Sequence, residues 1–365
     1  MSTPSFLESP ENPKAQRPRS LGERIFLIDR GRLRYYVRVI LFVFCVLAIQ
    51  VVVATLFDQY AHDASLWSQL FWSSVVLTAS FLGLSWIFVR FIDHHDFSTL
   101  GLTFQSGWAT QLGIGLAFGT VLQLIVMAIL AGTHSVHYSP IGGYSLHLWR
   151  LVGANISLFA IAATVEELAF RGYAFKWLMW SVGTPAALII LGIIFGAAHL
   201  TNPNPTFLST LNTALAGILL AIPYVRTRSM WMQIGLHWSW NLVLCTMVSL
   251  PVSGINFGPG LFVTENSGPR WLTGGNYGPE GGAAVTIVCV IGIGWLLPRS
   301  AVVGEARFQK MLEARDCAGA PRRERDRSHG VIDLRAADLR IDVCRCEVER
   351  GIGEGLGEGP RERGR

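Results

Sequence analysis

The sequence predicts an all-α protein: a polytopic transmembrane helix bundle of about eight spans, with a disordered C-terminal tail. Three observations carry that prediction. Hydrophobic residues make up 51% of the 365-residue chain and charged residues only 15%, against about 25% charged in an ordinary soluble domain. The charges are concentrated at the two ends, so the chain between residues 41 and 297 is a series of long apolar runs. The arginines gather at both termini and in certain short loops, where the positive-inside rule places them. The net charge of +5 therefore reads as a membrane signature, and no nucleic acid is expected as a partner.

Residues 1–36 form a basic, proline-containing segment. Its part 22–36 mixes arginines with bulky apolar side chains, which suits a cytoplasmic membrane surface of anionic lipids. A solvated basic lead-in is the alternative. Apolar runs follow at 37–57, 66–92, 107–131, 148–180, 185–200, 206–225, 230–250 and 283–297. A span needs about 20 residues, or about 17 at the short end. The fourth run is too long for one upright helix, and the fifth and last are short. Residues 37–94 are thus two N-terminal transmembrane helices and 95–297 the core. The first run begins too late and is too long for a cleavable signal peptide.

Charge sets the orientation. Arg30, Arg32, Arg34 and Arg38 precede the first span, and Asp58 and Asp63 follow it. Arg90 ends the second, Lys176 follows the fourth run's motif, Arg226 and Arg228 separate the sixth and seventh, and Arg299 opens the tail. This alternation predicts a multi-pass protein of a bacterial cytoplasmic membrane with both termini in the cytoplasm. Trp177 and Trp180 mark a cytoplasmic interface on this reading. The loop 251–282, rich in Gly, Pro and Asn, is extracytoplasmic and is either a cap on the bundle or a long flexible connection. Residues 298–365 turn to Arg, Glu and Gly and read as a disordered polar tail.

Six cysteines are scattered. Cys45, Cys245 and Cys289 lie in apolar runs as small hydrophobes. Cys317, Cys344 and Cys346 lie in the tail without the spacing of a zinc site.

The chemistry concentrates in three apolar runs. The fourth carries Glu166, Glu167 and Arg171. A charge at the bilayer centre costs roughly 2.5–3.5 kcal/mol on insertion scales, so such residues are functional candidates from the start. On a helix Glu167 and Arg171 are i and i+4 and can pair. Glu166 is turned about 100° away and is left free to act as a base. The fifth run places Phe195 and His199 on one helical face. The small residues Gly196, Ala197 and Ala198 between them let another helix approach. The seventh run places His237 and Asn241 on one face, two donors suited to a developing oxyanion.

Each part alone has a structural alternative. A buried Glu167–Arg171 pair has structural glue as its lesser alternative, and a lone membrane histidine is as readily a helix–helix hydrogen-bond partner. Trp231, Trp238 and Trp240 read as interfacial or packing residues, and His94, His95, His134, His137 and His147 as solvated. It is the ordered combination on three spans that points to a site.

That combination, Glu166-Glu167…Arg171, then Phe195…His199, then His237…Asn241, resembles the CPBP family of intramembrane proteases (CAAX proteases and bacteriocin-processing enzymes). The stretch from Gly217 through Tyr224–Trp231 to His237 and the segment Asp96–Leu102 are also similar to it. Arg228 stands where the family usually has glycine. The resemblance covers roughly 95–250 and neither tail.

It implies an all-helical core with a cytoplasm-facing cavity. There Glu166 and His199 activate water for peptide-bond attack, His237 and Asn241 stabilise the oxyanion, and Glu167 and Arg171 shape the site. Zinc or another divalent metal on Glu166, His199 and His237, and a metal-free glutamate mechanism, both stay open. The expected substrate is a peptide or lipid-anchored protein segment at the membrane. The rival readings are a non-catalytic scaffold or bacteriocin-immunity factor, and a proton-coupled transporter. The absence of internal repeats weighs against the last. Substrate identity and oligomeric state are not readable from the sequence.

Overall fold

The computed structural model describes residues 21–27, 33–104 and 106–297. Most of the basic N-terminal segment, and the whole tail 298–365 with its expected disorder and its three cysteines, lie outside the described residues.

A short helix α1 (Leu21–Phe26) precedes α2 (Tyr35–Tyr60) and α3 (Leu66–Ile87), which runs on as a π turn to Ile92. After α4 (Trp108–Gly132) comes a short strand β1 (Val136–Pro140), then α5 (Leu146–Arg171), α6 (Tyr173–Val182), α7 (Thr184–Ala198) and α8 (Phe207–Thr227). The chain continues through α9 (Trp231–Leu242) with a π turn to Met247, strand β2 (Phe262–Asn266), one-turn α10 (Arg270–Thr273) and α11 (Ala283–Leu296). Six helical stretches among the described residues are long and apolar enough to cross a membrane. They correspond to the first six predicted runs and make this an integral membrane protein. Lipid-facing apolar surface accompanies them: Phe44 and Val51 of α2 are 70% and 66% exposed, as expected where the solvent is hydrocarbon.

The last two predicted spans are shorter than the rest. The seventh run is α9 and its π turn, ending before Val248. The eighth is α11, whose 14 residues rise only about 21 Å against a hydrocarbon core of about 30 Å. The overlong fourth run is resolved by a break at Gly172, where α5 stops and α6 starts.

Two positive charges used to orient the chain are not loop charges. Arg38 lies within α2 and Lys176 within α6, both buried. Trp177, expected at the interface, is buried too and donates its Nε1–H to Asp93 Oδ2 at 3.0 Å. All three lie in one polar cluster, because an acid buried at the end of α3 needs donors around it.

The loop 251–282 is a built cap. Its strand β2 pairs antiparallel with β1, Val136 opposite Asn266 and Pro140 opposite Phe262. Asn212 of α8 ties the loop down, donating to the carbonyls of Glu280 (2.8 Å) and Gly282 (2.9 Å).

Glycines set the spacing of the helices that carry the site. A Cβ on Gly235 of α9 would stand 2.4 Å from the Leu112 carbonyl oxygen of α4, so the two backbones touch. A Cβ on Gly196 of α7 would stand 2.7 Å from the Thr210 carbonyl oxygen of α8. This is the close approach expected of the small residues before His199. Arg228 caps α8 in the left-handed region, φ 54°, which is where a glycine would be unstrained.

Candidate active site

The three motifs meet. Glu166 and Glu167 lie on α5, five and four residues before its end at Arg171. His199 follows the last residue of α7, and His237 and Asn241 lie on α9. Glu166, Phe195, His199, His237 and Asn241 all line one cavity of about 220 Å³.

The side chains form two layers. In the deeper one, Glu167 and Arg171 are fully buried, and Arg171 Nη1 donates to Glu167 Oε1 at 3.2 Å. Arg171 Nη2 donates to the Gly217 carbonyl at 3.0 Å, and its guanidinium stacks 4.2 Å above the Phe195 ring. The same Glu167 oxygen accepts from His237 Nδ1–H at 2.8 Å. A lone buried ion pair is expensive; this one is joined by a backbone acceptor, an aromatic face and a second donor, while Glu167 Oε2 and Arg171 Nε have no hydrogen-bond partner. The i,i+4 pairing read from sequence is thus present. Its link to His237 is what sequence spacing did not reveal.

In the layer facing the cavity, His199 Nδ1 is 2.8 Å from the Phe195 carbonyl oxygen. A carbonyl oxygen only accepts, so Nδ1 carries an N–H, and in the neutral ring the lone pair is then on Nε2. It points at Glu166 Oε2, 3.9 Å away, and His237 Nε2 reaches the same oxygen at 3.8 Å. Glu166 Oε2 has no hydrogen-bond partner of its own. No hydrogen bond joins the Asn241 side chain to another described residue, and it faces the same cavity. A water that donates to two acceptors at about 2.8 Å each holds them roughly 4.4 Å apart. The Glu166–His199 separation is within half an ångström of that.

A metal is tested by the donors. Among the described residues no group of three or more His, Cys, Asp or Glu side chains closes as a metal centre. The chemistry of Glu166 Oε2 with two imidazole Nε2 atoms fits a divalent cation. Ligation at about 2.0–2.1 Å would require these donors to draw in by a few tenths of an ångström.

The rest of the wall is apolar, with Leu158, Val165, Leu219 and Leu236 among its residues. It also holds a residue that the sequence reading passed over, Glu280 from the cap loop. Glu280 Oε1 accepts from Trp240 Nε1–H at 3.0 Å, and Oε2 accepts from the Ser253 backbone N–H and, at 2.9 Å, from its hydroxyl. The available signal was an acid placed directly before the apolar run of α11.

Comparison with known proteins bears out the resemblance over this region. The family model for type II CAAX prenyl endopeptidase Rce1-like proteins matches residues 148–243, which contain all seven motif residues. The uncharacterized protein YyaK of Bacillus subtilis (strain 168) is 28% identical over 209 residues, covering 55% of this chain and 69% of YyaK. No solved structure matches.

Proposed function

Because residues 148–243 are Rce1-like, a match that points to a CAAX-type intramembrane protease, we propose that the chain hydrolyses a peptide bond of a membrane-associated peptide or protein with water activated by Glu166 and His199. One observation carries this reading. Glu166, on the wall of a cavity, keeps a buried carboxylate oxygen, Oε2, with no hydrogen bond and with the Nε2 atoms of two histidines within 4 Å.

A water between Glu166 and His199 finds two acceptors. Glu166 takes one proton while the oxygen attacks the carbonyl carbon. The carbon–nitrogen bond then breaks, and the proton passes to the leaving amine. Asn241 offers its amide N–H groups to the oxyanion. His237 already donates Nδ1–H to Glu167, so a proton on Nε2 makes an imidazolium whose charge Glu167 balances. That proton serves the oxyanion or the amine. Arg171 positions Glu167, and through it His237. Glu166, His199 and His237 are the residues that would hold a divalent cation. Such an ion supplies Lewis acidity and a more acidic water.

The substrate class follows from the setting: an apolar segment, of a free peptide or of a lipid-anchored protein, presented from the bilayer. We place the enzyme in a bacterial cytoplasmic membrane with both termini cytoplasmic, in a surround of membrane lipids. A scaffold or immunity factor would use the same cavity only to bind. A proton-coupled transporter would use Glu166 and His199 as a relay.

The test is cleavage of a membrane-peptide library by the purified protein in liposomes. The wild type is compared with Glu166→Gln and His199→Ala, before and after chelation. Cleavage by the wild type, lost in both variants, is the expected result. Loss on chelation that zinc restores assigns the cation to the site, and activity that survives chelation leaves water activation to the side chains alone. Uptake that depends on an ion gradient, or peptide binding without cleavage, would move the assignment to one of the rivals.

A further inference from the structure

We infer that Gln233 is a positioning residue of this site: its buried amide completes the hydrogen bonding of Glu167 and Arg171 through one buried water and so holds Glu167 against His237. The inference rests on the hydrolase reading above and adds a residue that lies outside the three motifs.

The deeper layer of the site is bonded on one side only. Glu167 Oε1 accepts from both Arg171 Nη1 and His237 Nδ1. Its other oxygen, Oε2, and Arg171 Nε have no hydrogen-bond partner among the described residues, although both side chains are fully buried. Gln233 is fully buried too, and neither its Oε1 nor its Nε2 has a partner. Backbone geometry brings the three together. Glu167 meets His237, while Asn155, earlier on α5, meets Cys245, later in the chain, so α5 and α9 run antiparallel. Arg171 stands one turn beyond Glu167 on α5, and Gln233 one turn before His237 on α9. Both therefore lie on the same side of the Glu167–His237 bond. Gln233 is turned only about 40° from His237 and about 200° from Gly235. Since Gly235 packs on Leu112 of α4, Gln233 faces the α5 side.

The unmet capacities match. Arg171 Nε is a donor, Glu167 Oε2 is an acceptor, and an amide supplies both kinds of group. None of these atoms is hydrogen-bonded to another, so the link runs through an intermediary. A buried water makes about three hydrogen bonds to polar groups that otherwise go unmet. Here it accepts from Arg171 Nε–H and donates to Glu167 Oε2 and to Gln233 Oε1. Glu167 is then held at both oxygens. Held at Oε1 alone, the carboxylate can turn about its last bond and loosen its grip on His237. Anchored at both, it keeps the imidazole in place while Nε2 takes up and passes on a proton.

The experiment uses the full-length protein and Gln233→Met, which keeps the side-chain length and removes both polar atoms. Replacing a buried amide that only fills space should leave stability unchanged or raise it and leave turnover alone. A positioning role predicts a loss of kcat of about ten- to hundredfold, the range for partners that orient a functional histidine. KM for a peptide that the wild type cleaves in liposomes should stay within about twofold, because no substrate contact is lost. A second readout does not need catalysis. In detergent-solubilised protein carrying isotope-labelled histidine, the Nδ1–H proton of His237 is assigned by its loss in His237→Ala. It should resonate far downfield in the wild type, as a proton held by a carboxylate does, and should move upfield or vanish by exchange in Gln233→Met. An unchanged resonance overturns the inference, and so does an unchanged kcat. If Gln233→Met does not fold, Gln233→Leu is read in the same two ways. Glu166→Gln is run alongside. If it cleaves like the wild type, the catalytic reading has failed instead, and the His237 resonance still decides whether Gln233 holds this layer.

Discussion

Asp93 and Glu166 are both acids placed among aromatic and apolar side chains, and their surroundings differ in one respect. Every oxygen of Asp93 is met by a donor. Oδ1 accepts from Arg38 Nη1 at 2.8 Å and from the Tyr173 hydroxyl at 3.0 Å, and Oδ2 from Trp177 Nε1 at 3.0 Å. Arg38 in turn lies 4.6 Å from the Trp177 ring centroid. The cluster is closed and ties α2, the end of α3 and α6 together. Glu166 Oε2 has no donor; two imidazole nitrogens lie within 4 Å of it, and the residue lines a cavity. A satisfied buried acid fixes structure. An unsatisfied one beside a space large enough for water is a place where a proton can move. The seven motif residues read from sequence include the open cluster and none of the closed one.

The sharpest way to break the comparison is to exchange the consequences of losing each acid. Glu166→Gln should lower the cleavage rate by at least about 10²–10⁴-fold, the range for a general base, while thermal unfolding in detergent stays near the wild type. Arg38→Ala should act in the opposite sense. It leaves Asp93 buried without its main counter-charge, a change that costs roughly 3–5 kcal/mol, and it should reduce folded yield well before any effect on rate per folded molecule. An Arg38→Ala variant as stable as the wild type would mean that the closed cluster is not what joins these helices.

Asn241→Ala separates the two layers of the open cluster. Loss of one oxyanion donor is expected to lower kcat by about 10²–10³-fold, with KM changed little. An effect confined to KM would assign Asn241 to ground-state binding.

The legible part of this molecule was the part written in local spacing. Long apolar runs announced the six long helices, and i,i+4 pairs put Glu167 with Arg171 and His237 with Asn241 on shared faces. The small residues at 196–198 foretold the close α7–α8 approach. What spacing does not encode is which far residue completes a contact. The bond from His237 to Glu167 spans 70 residues, Trp177 to Asp93 spans 84 and Trp240 to Glu280 spans 40. Arg38, Lys176 and Trp177 were read by the rules for loop charges and interfacial aromatics, and those rules fail when a buried acid on another helix recruits the same residue types. The β1–β2 ribbon was missed because five-residue strands between membrane helices carry no period long enough to stand out.

The smallest expected effect concerns Asp93 alone, and its sign follows from the same closed geometry. Burial raises the proton affinity of Asp93 above the ordinary carboxylate value, against the opposing pull of Arg38 and Lys176 and the hydrogen bonds from Tyr173 and Trp177. A carboxyl whose folded pKa exceeds its unfolded one holds more protons when folded. Its contribution to stability is then complete below the unfolded pKa and is lost as pH rises through the folded one. Wild-type stability should therefore decline across that window, starting from the ordinary carboxylate range. Asp93→Asn, which cannot titrate, should lack that part of the slope. Thermal unfolding of the two proteins across mildly acidic to neutral pH measures the difference directly. Parallel curves would mean that the donors around Asp93 offset its desolvation completely, and that the closed cluster holds its charge at no cost in proton affinity.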